Sequence, residues 1–264
     1  MKNLFKSTAV AVAVLAGLAG SQVANAASGV TFLIGSDVVA LHGDTSFINP
    51  FVDQMANFGS KKLLFVGDSG GIAYTNPNVT ITYIDATMWN AGTSLAPYSG
   101  VYFDSPGTCC SDPGPTLAAG TAASIASFVA GGGSLGVGDY AGNGFWDSIL
   151  GFTGGPGVTT GVGGVICEDP GVSTPGGLAF GFNASYTEGC FIHQTYNPAF
   201  WMGKGYFALQ TSGSHGAPTG GPDNFGDWVT MATGFANPAP EPGSIALVGL
   251  ALAAGAAGLK RRKA

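Results

Sequence analysis

Ser69 lies in Gly67-Asp68-Ser69-Gly70-Gly71, a setting in which a hydroxyl on a tight turn can serve as a nucleophile if a base takes its proton. Three histidines are available, His42, His193 and His215, with twelve aspartates among the fifteen acidic residues. A Ser-His-Asp set can therefore be written down. The same five residues also suit a strand-ending turn, where Asp and Ser cap backbone amides and Gly accepts positive φ. Cys109, Cys110, Cys167 and Cys190 are the remaining reactive side chains. In an oxidising compartment an even count implies disulfides. Cys109 and Cys110 are adjacent and a vicinal bridge is strained, so each is expected to reach a separate partner. Cys167–Cys190 beside a vicinal pair is the alternative. No Cys-x-x-Cys pair or histidine spacing marks a metal site. The aspartates offer the oxygen ligands that calcium takes, but no Asp-x-Asp-x-Asp loop gathers them.

The pentapeptide around Ser69 resembles the nucleophile segment of trypsin-like proteases. That family carries its histidine and serine on two successive barrels, well over a hundred residues apart, whereas His42 and Ser69 are 27 apart. The strand Lys61–Gly67 followed by Asp68-Ser69 resembles instead the first block of GDSL-type esterases, with Gly142-Asn143 similar to their oxyanion block. The resemblance implies an Asp-x-x-His pair to orient the base. The residues three before His193 and His215 are Cys190 and Ser212, so that pair is missing. No complete catalytic set results, and the chain is read as leaning away from an enzyme, with Ser69 the one candidate nucleophile.

The elements that would carry these residues follow from apolar patterning. Val30–Gly35, Lys61–Gly67, Val79–Ile84, Gly100–Asp104 and Ser134–Gly138 read as strands. Asp44 or Thr45 caps a helix through about Phe58, with Phe47, Ile48, Phe51, Val52 and Met55 inward. Thr116–Ala130 reads as a second helix, burying Leu117, Ile125, Phe128 and Val129 and stopped by three glycines. Phe145–Leu150 is a short third. Beyond a Gly/Thr/Val-rich loop over 151–164, the segments Val165–Glu168, Ala179–Phe182, Phe191–Tyr196, Tyr206–Gln210 and Trp228–Ala232 read as strands without intervening helices. Trp146, Tyr186, Tyr196, Phe200, Trp201 and Tyr206 gather in this half. They serve either the core or, if exposed, sugar stacking, and the core reading is preferred.

Alternation of strand and helix through residue 150 predicts an α/β domain with a largely parallel sheet, extended at an edge by antiparallel strands. The run Phe128–Asp139 resembles the helix–glycine–strand element of class I glutamine-amidotransferase-like proteins. That likeness implies a flavodoxin-like core with helices on both faces. It also implies a nucleophilic cysteine on the turn after the strand, where this chain has Asp139-Tyr140-Ala141.

Two further segments are addresses. Lys2 and Lys6, an apolar run from Ala9 to Ala19 and the small-x-small site Ala24-Asn25-Ala26 predict a signal peptide over 1–26, cut after Ala26. The expected handlers are the Sec translocon and signal peptidase. At the other end stand Pro240-Glu241-Pro242, an apolar run Ile245–Leu259 and Lys260-Arg261-Arg262-Lys263. Fifteen helical residues reach only ~22 Å, short of a ~30 Å hydrocarbon core. The cations are expected to stay cytoplasmic. This order resembles the PEP-CTERM sorting signal, in which Pro-Glu-Pro precedes one hydrophobic segment and a basic tail. The resemblance implies exosortase as a partner, an inner-membrane intermediate held by the tail helix over 244–264, and delivery to the cell surface or extracellular matrix.

Between the addresses lie one domain over 27–235 and a Pro-rich linker over 236–243. Residues 27–239 keep three lysines, no arginine and fourteen carboxylates, a formal charge of −11. Such a surface excludes nucleic acid as a partner and suits cations, neutral sugars or basic surfaces. The expected function is that of a non-catalytic surface or matrix protein associated with exopolysaccharide or biofilm. The alternative is a secreted serine hydrolase using Ser69.

Overall fold

The computed structural model describes residues 29–39, 43–56, 60–67, 71–104, 117–138, 149–151, 158–159, 171–182, 192, 194–212 and 228–233. The chain divides into two units, Met1–Gly234 and Phe235–Ala264, and every described residue belongs to the first.

Five strands form a parallel block: β1 (Thr31–Ile34), β2 (Lys62–Val66), β3 (Thr80–Ile84), β4 (Gly100–Asp104) and β5 (Ser134–Gly138). Five more are antiparallel: β6 (Val158–Thr159), β7 (Gly171–Ser173), β8 (Thr195–Tyr196), β9 (Tyr206–Ser212) and β10 (Trp228–Thr233). All ten join one sheet in the order β3-β2-β4-β5-β1-β10-β8-β6, with β9 beside β10 and β7 beside β9. The parallel block and its antiparallel extension meet at the β1–β10 pair, as the change of pattern after residue 150 predicts. The described helices include α1 (Thr45–Met55), α2 (Thr121–Ala130), α3 (Pro175–Ala179) and α4 (Pro198–Met202), with a 3-10 turn at Ala86–Met88.

Strand residues of one parity pack on α1. Phe32 meets Phe51 edge-on at 5.2 Å between centroids, and Phe51 meets Tyr102 at 5.6 Å. The other parity (Leu33, Leu64, Val66, Val101, Phe103, Leu135, Val137) joins Ile125 of α2 and Trp89 in a second cluster. Both parities are buried, which is why these strands read as unbroken apolar runs. Gly136 is required where the α1 cluster is tightest. A Cβ there would lie 2.8 Å from the Tyr102 ring, 2.9 Å from Phe51 and 3.0 Å from the Met55 sulfur.

The helix ends follow their caps. Asp44 Oδ1 accepts from the Ser46 amide at 2.8 Å and opens α1, which buries the five expected side chains. α2 begins at Thr121, five residues later than predicted, because Gly120 at φ +86° makes the turn into it. Leu117 is buried as expected, but from the preceding turn.

The second half needs correction. Ala179–Phe182 is not a strand: Ala179 ends α3 and Gly181 turns at φ +92°. Nor is the region free of helices, since α3 and α4 both interrupt it. Each starts with a cap followed by proline, Thr174-Pro175 and Asn197-Pro198, a start signal with a mechanism. Gly177 lets α3 sit on β9, where a Cβ would meet the Leu209 carbonyl oxygen at 2.0 Å. Of the expected strand Phe191–Tyr196, Thr195–Tyr196 is β8 and Ile192 makes a single bridge to Ser36. Val165–Glu168 lies outside the described residues.

Candidate functional site

In α/β sheets ligands bind beyond the carboxyl ends of the parallel strands, at the point where the strand order reverses. Here the chain passes from β2 outward to β3 and then back across to β4, so the reversal lies between β2 and β4. The residues at that end are Gly67 after β2, Asp104 closing β4 and Gly138 closing β5. The β2–β4 and β4–β5 registers set both glycines directly beside Asp104.

Asp104 is buried at 4 % exposure, and its Oδ1 accepts a hydrogen bond from the Tyr102 hydroxyl at 3.1 Å. The two residues are two apart in a strand, so they share a face. The glycines leave room for them. A Cβ on Gly67 would stand 2.6 Å from Asp104 Cβ, and one on Gly138 would stand 2.3 Å from Tyr102 Oη. Asp37, just past β1, is also fully buried. Asp85, just past β3, is exposed. The Thr87 hydroxyl and amide both donate to its Oδ1, at 2.6 and 2.7 Å, and hold its carboxyl below the ordinary range.

The connection that leaves β2 at the same end is strapped to the outer side of α1. Asp53 accepts from the Tyr74 hydroxyl at 2.7 Å and from Asn76 Nδ2 at 3.1 and 3.2 Å. Asn49, one turn earlier, donates to Thr75 Oγ1 at 2.9 Å and accepts from the Thr75 amide at 3.1 Å. Partial burial, followed by the hydrogen bond and charge of Asp53, pushes the Tyr74 phenol well above its ordinary value.

Most residues singled out by sequence lie outside the described residues. These are Asp68, Ser69 and Gly70, all three histidines, all four cysteines, Asp139–Ala141, Gly142-Asn143, Ala24, Ala26, Pro240–Pro242 and the tail cations. Their anchoring neighbours are described, however. Gly67, the last described residue before Ser69, borders Asp104. Ile192 bridges Ser36 and the Gln194 amide donates to the Gly35 carbonyl, on the β10 side of β1. From β2 to that position the sheet advances through β4, β5 and β1, a distance of about 19 Å at ~4.8 Å per strand. The described flanks of His193 and Gly67, which precedes Ser69, thus stand on different parts of the sheet.

Among the described aromatics of the second half, Tyr196 and Trp201 are fully buried and Tyr206 nearly so, which places them in the core. Sequence reasoning missed the Tyr102–Asp104 pair, although its signal, an aspartate closing the apolar run GVYFD, was in view. Among the described residues no group of three or more His, Cys, Asp or Glu could hold a metal ion. Nor is any described helix long and apolar enough to cross a membrane, and Ile245–Leu259 lies outside those residues.

No curated protein and no solved structure matches the chain. Residues 238–263, from Pro238 through Lys263, match the PEP-CTERM protein-sorting motif. The matched segment contains Pro240-Glu241-Pro242, the apolar run and Lys260-Arg261-Arg262-Lys263 in that order. The chain therefore carries a PEP-CTERM sorting motif, the mark of an exported protein that exosortase sorts to the cell surface.

Proposed function

We propose that this is a non-catalytic protein of the cell surface or extracellular matrix, held among exopolysaccharide after exosortase has handled its tail. The observation that carries the reading is the sorting motif over 238–263. A body with three lysines against fourteen carboxylates supports contact with neutral sugar and cation-rich matrix over any polyanion. The described carboxyl ends of β2, β4 and β5 support it too: they carry the chain's own Tyr102–Asp104 pair, packed against two glycines. On this reading the tail helix holds the protein briefly in the inner membrane, the signal peptide over 1–26 is removed, and the cysteines pair in the oxidising space. No calcium is assigned a role.

The parallel block supports a flavodoxin-like ancestry for the body, with helices on both faces. Its order β3-β2-β4-β5-β1 becomes the 2-1-3-4-5 order of that fold when β1 is counted last. The two parities of the strands, one meeting α1 and the other α2, support the same architecture.

The test is fractionation of the native host. The wild-type chain should be recovered processed, at the surface or in the matrix. A Pro240→Ala/Glu241→Ala/Pro242→Ala variant should stay with the inner membrane at full length. Identical fractionation of the two overturns the sorting reading. Stripping polysaccharide from the cells should release the wild-type protein, and retention overturns the matrix reading.

One observation favours a second reading, a serine hydrolase: Ser69 follows β2 at the strand-order reversal. Short-chain ester hydrolysis that is abolished in Ser69→Ala would establish it; absent or unchanged turnover dismisses it.

A further inference from the structure

Among the described residues β3 is the last strand on its side of the sheet, and none of them covers its outer edge with a further strand. Native edge strands are usually short, charged, bulged or interrupted by proline. Thr80–Ile84 reads TITYI, with no charge, no proline and an unbroken register against β2. Thr82 and Tyr83 are exposed, Tyr83 by 39 %. The Thr80 amide donates to the Lys61 carbonyl and the Ile84 carbonyl accepts from the Gly67 amide, so the even residues turn their backbone toward β2. Backbone direction alternates along a strand. The amides and carbonyls of Ile81 and Tyr83 therefore point away from the sheet, with no hydrogen-bond partner among the described residues.

We infer that β3 is an interface at which two copies of this chain pair edge to edge, antiparallel, about a two-fold axis through Thr82. In that register Ile81 of each copy stands opposite Tyr83 of the other, and their outward groups form two hydrogen-bonded pairs. Thr82 meets its own counterpart at a non-hydrogen-bonded position, where Cα atoms approach to ~4.5 Å. Ile81 and Tyr83 share the side on which Tyr83 already packs on Phe65 at 5.7 Å, so the new aliphatic–aromatic pairs extend an existing apolar row.

Charge selects this occupant and this direction. The body's net charge of −11 opposes most self-contacts, yet β3 itself is neutral. Asp85 lies just past its carboxyl end, while Lys61 and Lys62 stand at the opposite end, on the neighbouring strand. All three are exposed. A parallel pairing would set Asp85 against Asp85. The two-fold pairing sets Asp85 of one copy opposite Val79 of the other, one strand from Lys61 and Lys62. Two of the body's three lysines thus stand at the same end as the acid that follows the second copy's strand, two strand spacings or about 10 Å from it.

The test uses the full chain in mild detergent, so that the apolar tail is shielded. Sedimentation should show a reversible dimer, weakened about tenfold or more by Ile81→Pro. That change removes one outward donor and no β2–β3 hydrogen bond. Asp85→Lys should weaken the dimer, and adding Lys61→Glu/Lys62→Glu should restore it. On mild oxidation Thr82→Cys should yield a covalent dimer on a non-reducing gel, because ~4.5 Å suits a disulfide. Thr80→Cys, which meets Ile84 of the second copy, should not. A monomer at every concentration, a dimer indifferent to Ile81→Pro in a chain that melts like the parent, or equal cross-linking through Thr80→Cys and Thr82→Cys each overturns the inference. Should Ile81→Pro unfold the chain, the two cysteine variants decide.

Discussion

The Tyr102 hydroxyl donates to Asp104 Oδ1 at 3.1 Å, and Gly138 on the next strand lies so close that a Cβ would fall 2.3 Å from that hydroxyl. A methyl group there is incompatible with the pair. Gly138→Ala is expected to lower stability by ~1–3 kcal/mol, the range of overpacking in a filled interior. Tyr102→Phe in the same chain removes the clashing atom and should recover part of the loss. Denaturant melts of the two single variants and the double variant give the coupling.

Trp89 is buried, and its indole N–H donates to Thr121 Oγ1 at 2.9 Å, fastening the β3–β4 connection to the first turn of α2. Thr121→Val keeps the shape and removes the acceptor. The orphaned buried donor should cost about 1–3 kcal/mol, read from a thermal or urea melt. Thr121→Ser should restore most of it.

Burial pushes the Tyr206 phenol well above its ordinary value near 10. As pH rises the unfolded chain releases this proton first, which favours unfolding. The contribution is complete below about pH 10 and is lost as pH climbs through the folded value. Urea midpoints between neutral and strongly alkaline pH should therefore fall more steeply in the wild type than in Tyr206→Phe. Equal slopes would rule this linkage out.

Asp53 holds Tyr74 and Asn76 at the surface, so Asp53→Ala should loosen the strap while leaving the sheet intact. Hydrogen exchange of amides 72–76 should speed up, with a global loss of ~1 kcal/mol or less, as befits exposed hydrogen bonds. The Tyr74 phenol should also titrate closer to its ordinary range, since its partner is gone.

Four of the five parallel strands were legible because both of their sides are covered, which gives runs such as KLLFV and GVYFD, whereas the exposed β3 was legible from its alternation. Their order was not, since it depends on which crossovers the chain takes and no local pattern encodes that. α3 and α4 escaped because PGGLA and PAFWM are too short and too rich in Gly or Pro for a helical period. Their caps carried the only signal. β7 escaped because Gly171–Ser173 has no apolar alternation and is held by β9, some forty residues on. The sorting tail was fully legible, since a motif read by another protein must be written in consecutive residues. The buried Asp104 was not, because whether a strand-ending acid is covered depends on glycines in two distant strands.

The seam between β1 and β10 joins Thr31 to Thr233, with the Thr31 amide bonded to Thr233 Oγ1 across 202 residues of chain. Synthesis from the amino end presents β1 about 200 residues before its antiparallel mate. Native closure therefore waits for nearly the whole body to emerge. Only four residues separate Thr233 from the start of the sorting motif at 238. Completion of the fold and arrival of the tail thus fall at nearly the same moment as the chain is synthesised, so a chain whose tail has been made is one whose body has just become able to finish folding.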